Sequence, residues 1–124
     1  MFISATPRRK GEHPGCIRDI TFDHIYMTVE SSLFIAGEPE SEIENVTIQD
    51  MQLTMKSQGT QKPELFDEQP SVRNVYPHDI PGVYARSVRD LHVSGIIRRE
   101  GRYREYPLTE LKDYTNAEIR IKER

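Results

Sequence analysis

The residues best suited to chemistry are two basic clusters. Arg8, Arg9 and Lys10 are consecutive. Arg98, Arg99, Arg102 and Arg104 form the second group, together with Tyr103 and Tyr106. A guanidinium pairs with a carboxylate in a two-pronged, planar geometry, so the second group suits a carboxylate-bearing ligand. The plainer reading of each is a solvated loop, with Glu100 and Glu105 balancing the second. The histidines are His13, His24, His78 and His92. Their spacing makes no zinc motif, and the lone Cys16 has no partner for a metal site or a disulfide. No residue is assigned a catalytic role, no metal ligand is named, and no cofactor is expected.

Composition narrows the classes. The chain has 124 residues, one domain's worth, with 17 basic and 20 acidic side chains and a net charge of −3. A near-balanced charge argues against a nucleic-acid partner, because phosphate binding favours a net positive field. No run approaches the roughly 20 apolar residues of a membrane helix, so no membrane partner is expected. The segment Met1 to Pro7 is too short and too polar to read as a signal peptide.

The elements that must position these side chains emerge from an internal repeat. Ile17-Arg18-Asp19-Ile20-Thr21-Phe22-Asp23-His24-Ile25 aligns with Ile43-Glu44-Asn45-Val46-Thr47-Ile48-Gln49-Asp50-Met51, an offset of 26 residues. A third copy starts at Val88, 45 residues on, and a weaker fourth is read from Asn116, 28 further. Apolar residues two apart lie on one face of a strand. Asp or Asn before such a pair suits a left-handed bend. A second corner is expected at Asp23-His24. The pattern predicts parallel strands, with Ile20, Val46, Leu91 and Ile119 in one interior row and Phe22, Ile48, Val93 and Ile121 in the next. Asp19, Asn45 and Asp90 should align at a corner. The residues from Lys56 to Pro81 read as a loop insertion, and Leu108 to Tyr114 as a short helix that Thr109 could cap. An antiparallel sandwich is the alternative, although no Asn-Gly or Asp-Gly hairpin signal is present.

The run Gly15-Cys16-Ile17-Arg18-Asp19-Ile20-Thr21-Phe22-Asp23-His24-Ile25-Tyr26-Met27, then Leu33-Phe34-Ile35-Ala36-Gly37, resembles the late coils of polygalacturonase-like enzymes of glycoside hydrolase family 28. Ile43-Glu44-Asn45-Val46-Thr47-Ile48, a long loop and Pro81-Gly82-Val83-Tyr84-Ala85-Arg86 follow in a similar order. The resemblance covers roughly Met1 to Glu100. It implies an all-β, right-handed parallel β-helix of about four coils, a single fragment over 1–124 with the loop insertion at 56–81. It also implies pectin as the substrate class of the parent, an extracellular or periplasmic setting for that full-length parent, and a uronate-containing polysaccharide as partner.

The family's Asn-Thr-Asp, Asp-Asp and Gly-His-Gly motifs are missing. Hydrolysis with inversion needs an acid carboxyl and a base carboxylate flanking the bond, and no such pair stands at a matching position. Arg120-Ile121-Lys122 spells the family's fourth motif but follows the coil pattern instead of preceding it. Arg8-Arg9-Lys10 is better placed, so Arg8 and Lys10 are the substrate-binding candidates, sharing one strand face. Arg9 departs from the motif's aliphatic residue, and the spacing to Ile17 is short. The expected function is the C-terminal portion of a polysaccharide-degrading hydrolase, inactive by itself. A non-catalytic β-helix binding or scaffold module is the alternative, and a small β-rich interaction module the third reading. The N-terminal end should be uncapped and self-associate, whereas charge on the last strand should discourage pairing there.

Overall fold

Asp19, Asn45, Asp90 and Asn116 hold left-handed backbone, with φ of 59°, 51°, 55° and 57°. Asp and Asn tolerate this region because a short polar side chain hydrogen-bonds locally, where most L-residues lose roughly 1–2 kcal/mol. Each bends a long strand at the same place, so the strands stay in register through the corner. The computed structural model describes residues 1–69 and 71–124. Its strands are β1 (Phe2–Ser4), β2 (Ile17–Val29), β3 (Leu33–Ala36), β4 (Ile43–Met55), β5 (Leu65–Asp67), β6 (Val75–Pro77), β7 (Val83–Arg99) and β8 (Thr109–Glu123). A 3-10 helix, Gly101–Glu105, precedes β8. No α-helix is present among the described residues.

The fold is all-β and built on one curled parallel sheet. β2 pairs with β4, β4 with β7, and β7 with β8, all parallel. β1 pairs with β3 and β3 with the first part of β7, also parallel. The antiparallel sandwich is thereby excluded. Ile20, Val46 and Leu91 are in register, as are Phe22, Ile48 and Val93. Val46 and Leu91 are each 1% exposed, while Ile20 on the outer strand is half-buried. Strands with neighbours on both sides bury their apolar row, and β2 and β8 have a neighbour on only one.

Two expectations are corrected. The residue in register with Leu91 is Ala117, and Ile119 pairs with Val93. The last repeat therefore starts at Tyr114, 26 residues after Val88, and Asn116 is its corner residue. Ala117 is too small to stand out in an apolar pattern, so Ile119 and Ile121 captured the alignment. The segment from Leu108 to Tyr114 is not helical, because β8 already begins at Thr109. Pairing of Val83 to Arg86 with Thr109 to Lys112 satisfies the backbone better than two isolated turns of helix would.

The second corner lies where it was expected. His24 and Asp50 have φ of 58° and 50°. β7 turns with one residue fewer, since Met51 pairs with Gly95 and only Ser94 separates Gly95 from Val93. Gly95 has φ 153°, and a Cβ there would collide with the Met51 carbonyl oxygen. Gly95→Ala should therefore cost at least ~1–3 kcal/mol, the scale of core overpacking. A urea midpoint unchanged in this variant would contradict that account.

The insertion is not a bare loop. β5 and β6 form an antiparallel pair with Phe66 opposite Tyr76. Phe66 stacks on Phe34 at 4.5 Å between ring centroids, and Phe34 on Tyr84 at 4.8 Å. All four residues of β3 are buried for this reason: Leu33 and Ile35 face the main core, while Phe34 and Ala36 lie under the insertion.

Candidate functional site: a cationic cleft between the first turn and the insertion

Arg8, Arg9 and Lys10 follow β1 in a bend and turn, closed by the Glu12 N–H donating to the Arg9 carbonyl at 3.2 Å. They do not share a strand face. Pro7 restricts its own φ and leaves its carbonyl free, and that oxygen accepts the Val72 N–H at 2.9 Å. This bond draws the tip of the insertion against the basic turn. Arg8, Arg9, Lys10, Gln69, Ser71, Val72 and Asn74 together line an open cleft of about 400 Å³. The three cations are exposed, and none forms an ion pair among the described residues. The cleft thus offers unpaired positive charge beside two carboxamides.

Arg73, from the same insertion, adds nothing to this field. It is turned inward to Glu38 at 2.5 Å and Glu68 at 3.6 Å. Ser71 is buried, and its hydroxyl accepts the Arg73 N–H at 3.1 Å. Asn74, with φ 51°, turns the chain back and gives its carbonyl to the Glu68 N–H. The wall opposite the cations is therefore held by the buried charges behind it.

In the other basic cluster Arg98 is exposed, whereas Arg99, Arg102 and Arg104 are held by contacts within the chain. Arg99 is 5% exposed. Its Nη1 donates to the carbonyls of Tyr103, Tyr106 and Pro107 at 3.0, 2.6 and 3.3 Å, and its Nε pairs with Glu123. Arg104 Nε donates to the Arg99 carbonyl at 2.7 Å. Arg102 pairs with Glu64 at 3.1 Å, and the Tyr106 hydroxyl donates to the same carboxylate oxygen. Tyr103 is buried and its hydroxyl donates to the Glu30 carbonyl at 2.8 Å. The partners are Glu64 and Glu123, not Glu100 and Glu105. Neither the ligand-holding expectation nor the solvated one describes Arg99 and Tyr103.

A larger open groove of about 520 Å³ runs beside Met1, Phe2, Phe34, Leu65 and Phe66, with Glu30, Lys62 and Asp67 on its rim. It offers an apolar floor, but two carboxylates against one ammonium repel an acidic ligand. The Glu30 carboxyl is held below its ordinary range by backbone N–H bonds from Gln58 and Gly59, so it stays ionised.

Asp23, His24 and Asp50 bring ligand atoms within 4.8 Å of one another, a grouping that only the pairing of two repeats creates. All three are exposed. His24 lies 2.7 Å from Asp23 and 3.3 Å from Asp50, and the Tyr26 hydroxyl donates to Asp50 at 3.1 Å. These contacts hold the three side chains together, and the group is the polar outside of the second corner. The Asp23 carboxyl is lowered, first by a side-chain hydrogen bond from Gln49 and then by His24.

Comparison of the chain with protein-family models, with curated proteins and with solved structures finds no match.

Proposed function

We propose that this chain is the late-coil portion of a right-handed parallel β-helix, about four coils long, of the polygalacturonase type. Its own contribution is to hold an anionic polysaccharide at the Arg8–Lys10 cleft. The observation that carries the reading is the set of three unpaired cations facing Gln69, Ser71 and Asn74. Cations pair with the carboxylates of a uronate chain, and carboxamides suit its hydroxyls. The 26-residue parallel register with Asx corners supports the fold. The missing Asn-Thr-Asp, Asp-Asp and Gly-His-Gly motifs support binding without bond cleavage.

The test is affinity electrophoresis of the chain through gels containing polygalacturonate or a neutral glucan. Retardation is expected in polygalacturonate only, weakening as salt rises. Arg8→Ala with Lys10→Ala should weaken it about tenfold, the sum of two exposed charge contacts near ~0.5–1 kcal/mol each. Equal retardation by the neutral glucan, or none by either, would overturn the reading. Release of reducing sugar should be absent. Release that persists through further purification would instead place an active site on residues assigned no such role here.

A further inference from the structure

The two ends of the sheet are complementary to each other. β2 has its outer edge unpaired, with Ile17, Ile20, Phe22 and Ile25 half-buried along it. β8 has the opposite edge unpaired, with Ala117, Ile119 and Ile121 half-buried. At the first corner the register runs Asp19, Asn45, Asp90, Asn116. Asn45 Nδ2 donates to Asp19 Oδ1 at 2.9 Å, and Asn116 Nδ2 donates to Asp90 Oδ1 at 2.6 Å. Acceptor and donor alternate, so the sheet begins on a carboxylate and ends on a carboxamide. A carboxamide nitrogen carries two hydrogens. Asn116 uses one toward Asp90, and its carboxamide closes the corner row on the β8 side.

We propose that the chain assembles head to tail, β8 of one copy pairing in parallel with β2 of the next. This inference is independent of the polysaccharide reading. Continuing the register by one strand, about 4.8 Å, sets Tyr114 of one copy over Ile17 of the next, Asn116 over Asp19, Ala117 over Ile20 and Ile119 over Phe22. Arg120, which pairs with Glu118 of its own strand, then faces Asp23, which contacts His24 of its own strand, and Lys122 faces the Tyr26 ring. No like charges meet in this pairing. The symmetric alternatives fare worse: an antiparallel β8–β8 contact centred on Ile121 sets Arg120 against Lys122, an antiparallel β2–β2 contact centred on Thr21 sets Asp19 against Asp23, and neither continues the parallel register. The charges on β8 that discourage its pairing with itself therefore select β2 instead. The contact is heterologous and does not close, so it generates linear stacks and not a fixed dimer.

Sedimentation velocity over a wide concentration series tests this. The weight-average mass should climb steadily above the 14.4 kDa monomer. Arg120→Glu and Asp23→Arg alter only exposed side chains, and each alone should weaken association about fivefold, since each confronts like charges across the contact. An equimolar mixture of the two should restore association to the wild-type level, because every contact then pairs opposite charges. Wild-type chain that stays monomeric throughout overturns the proposal. So does Arg120→Glu chain that associates normally, the signature of symmetric pairing through β2, and so does a mixture no better than its components. If Arg120→Glu loses its β-sheet circular dichroism, Lys122→Glu replaces it and should weaken association in the same direction; no weakening would also overturn the proposal.

Discussion

Replacing Glu68 with glutamine should destabilise the chain by ~3–5 kcal/mol and loosen the insertion from the sheet. Glu68 is fully buried. Its Oε1 accepts Arg86 Nη2 at 3.0 Å, its Oε2 accepts the Tyr76 hydroxyl at 2.9 Å, and Arg73 lies 3.6 Å away. One carboxylate thus ties β7, β6 and the β5–β6 turn to a single point. Glutamine keeps the shape but removes the charge, leaving the Arg86 guanidinium beside the insertion without its counter-ion. Breaking a buried pair in this way costs about 3–5 kcal/mol, much more than the intact pair contributes. Burial by itself would lower the Arg86 pKa, and Glu68, together with Tyr84 and Glu38, offsets that, so the net direction is upward.

Tyr76 gives an independent readout. Burial, then the hydrogen bond to Glu68 and its charge, push the Tyr76 hydroxyl up to about 12. A phenol whose pKa is raised on folding contributes stability that is whole below its ordinary value near 10. That contribution is lost as pH climbs from about 10 through about 12. Tyrosinate absorbance should show Tyr76 ionising earlier in Glu68→Gln chain. Amide exchange should quicken at Leu65–Asp67 and at Val75 and Tyr76, with little change at Ile43–Met55. A urea midpoint shifted by less than ~1 kcal/mol, with Tyr76 titration unmoved, would show that Glu68 is not the tie.

The parts legible in the sequence are those where backbone geometry restricts the residue type. Asp19, Asn45 and Asp90 marked the corners because few other side chains tolerate positive φ there. The apolar pairs that follow them identified the interior rows and their parallel register. The last repeat was misread where Ala117 supplies too little side chain to register in a hydrophobic pattern. The hairpin in the insertion was hidden because Leu65 and Val75 face solvent, leaving no alternation to read. Arg8 and Lys10 were singled out from their position ahead of the first repeat, but the wall facing them was not legible. That wall is joined to the basic turn by a backbone bond between Val72 and Pro7, distant in sequence and independent of side-chain type. Arg99 was misassigned for a related reason. A buried arginine and a ligand-binding one look alike until their acceptors are known, and three of its acceptors are carbonyls.

Arg99→Met should cost ~3–5 kcal/mol and release the C-terminal strand. Methionine reproduces the aliphatic stem of the side chain but supplies no donor. The carbonyls of Tyr103, Tyr106 and Pro107 would then point at an apolar group, and each buried acceptor left unmade costs about 1–3 kcal/mol. Lysine at this position cannot repair the loss, because a point ammonium does not reproduce the planar fork that reaches three carbonyls and Glu123 together. The Glu123 carboxyl is held below its ordinary range chiefly by the Arg99 hydrogen bond. A carboxyl with a depressed folded pKa stabilises above its unfolded value and loses that contribution as pH falls through the folded one. Wild-type chain should therefore weaken on acidification below about pH 4.5, the ordinary range of a glutamate, and this part of the acid loss should vanish in Arg99→Met. Glu123 is partly exposed, so Glu123→Gln should remove the same pH-dependent part at much smaller cost in stability. Urea titrations of the two variants at neutral and acidic pH separate the roles. If Glu123→Gln proves as damaging as Arg99→Met, the ion pair and not the three carbonyls holds β8 in place.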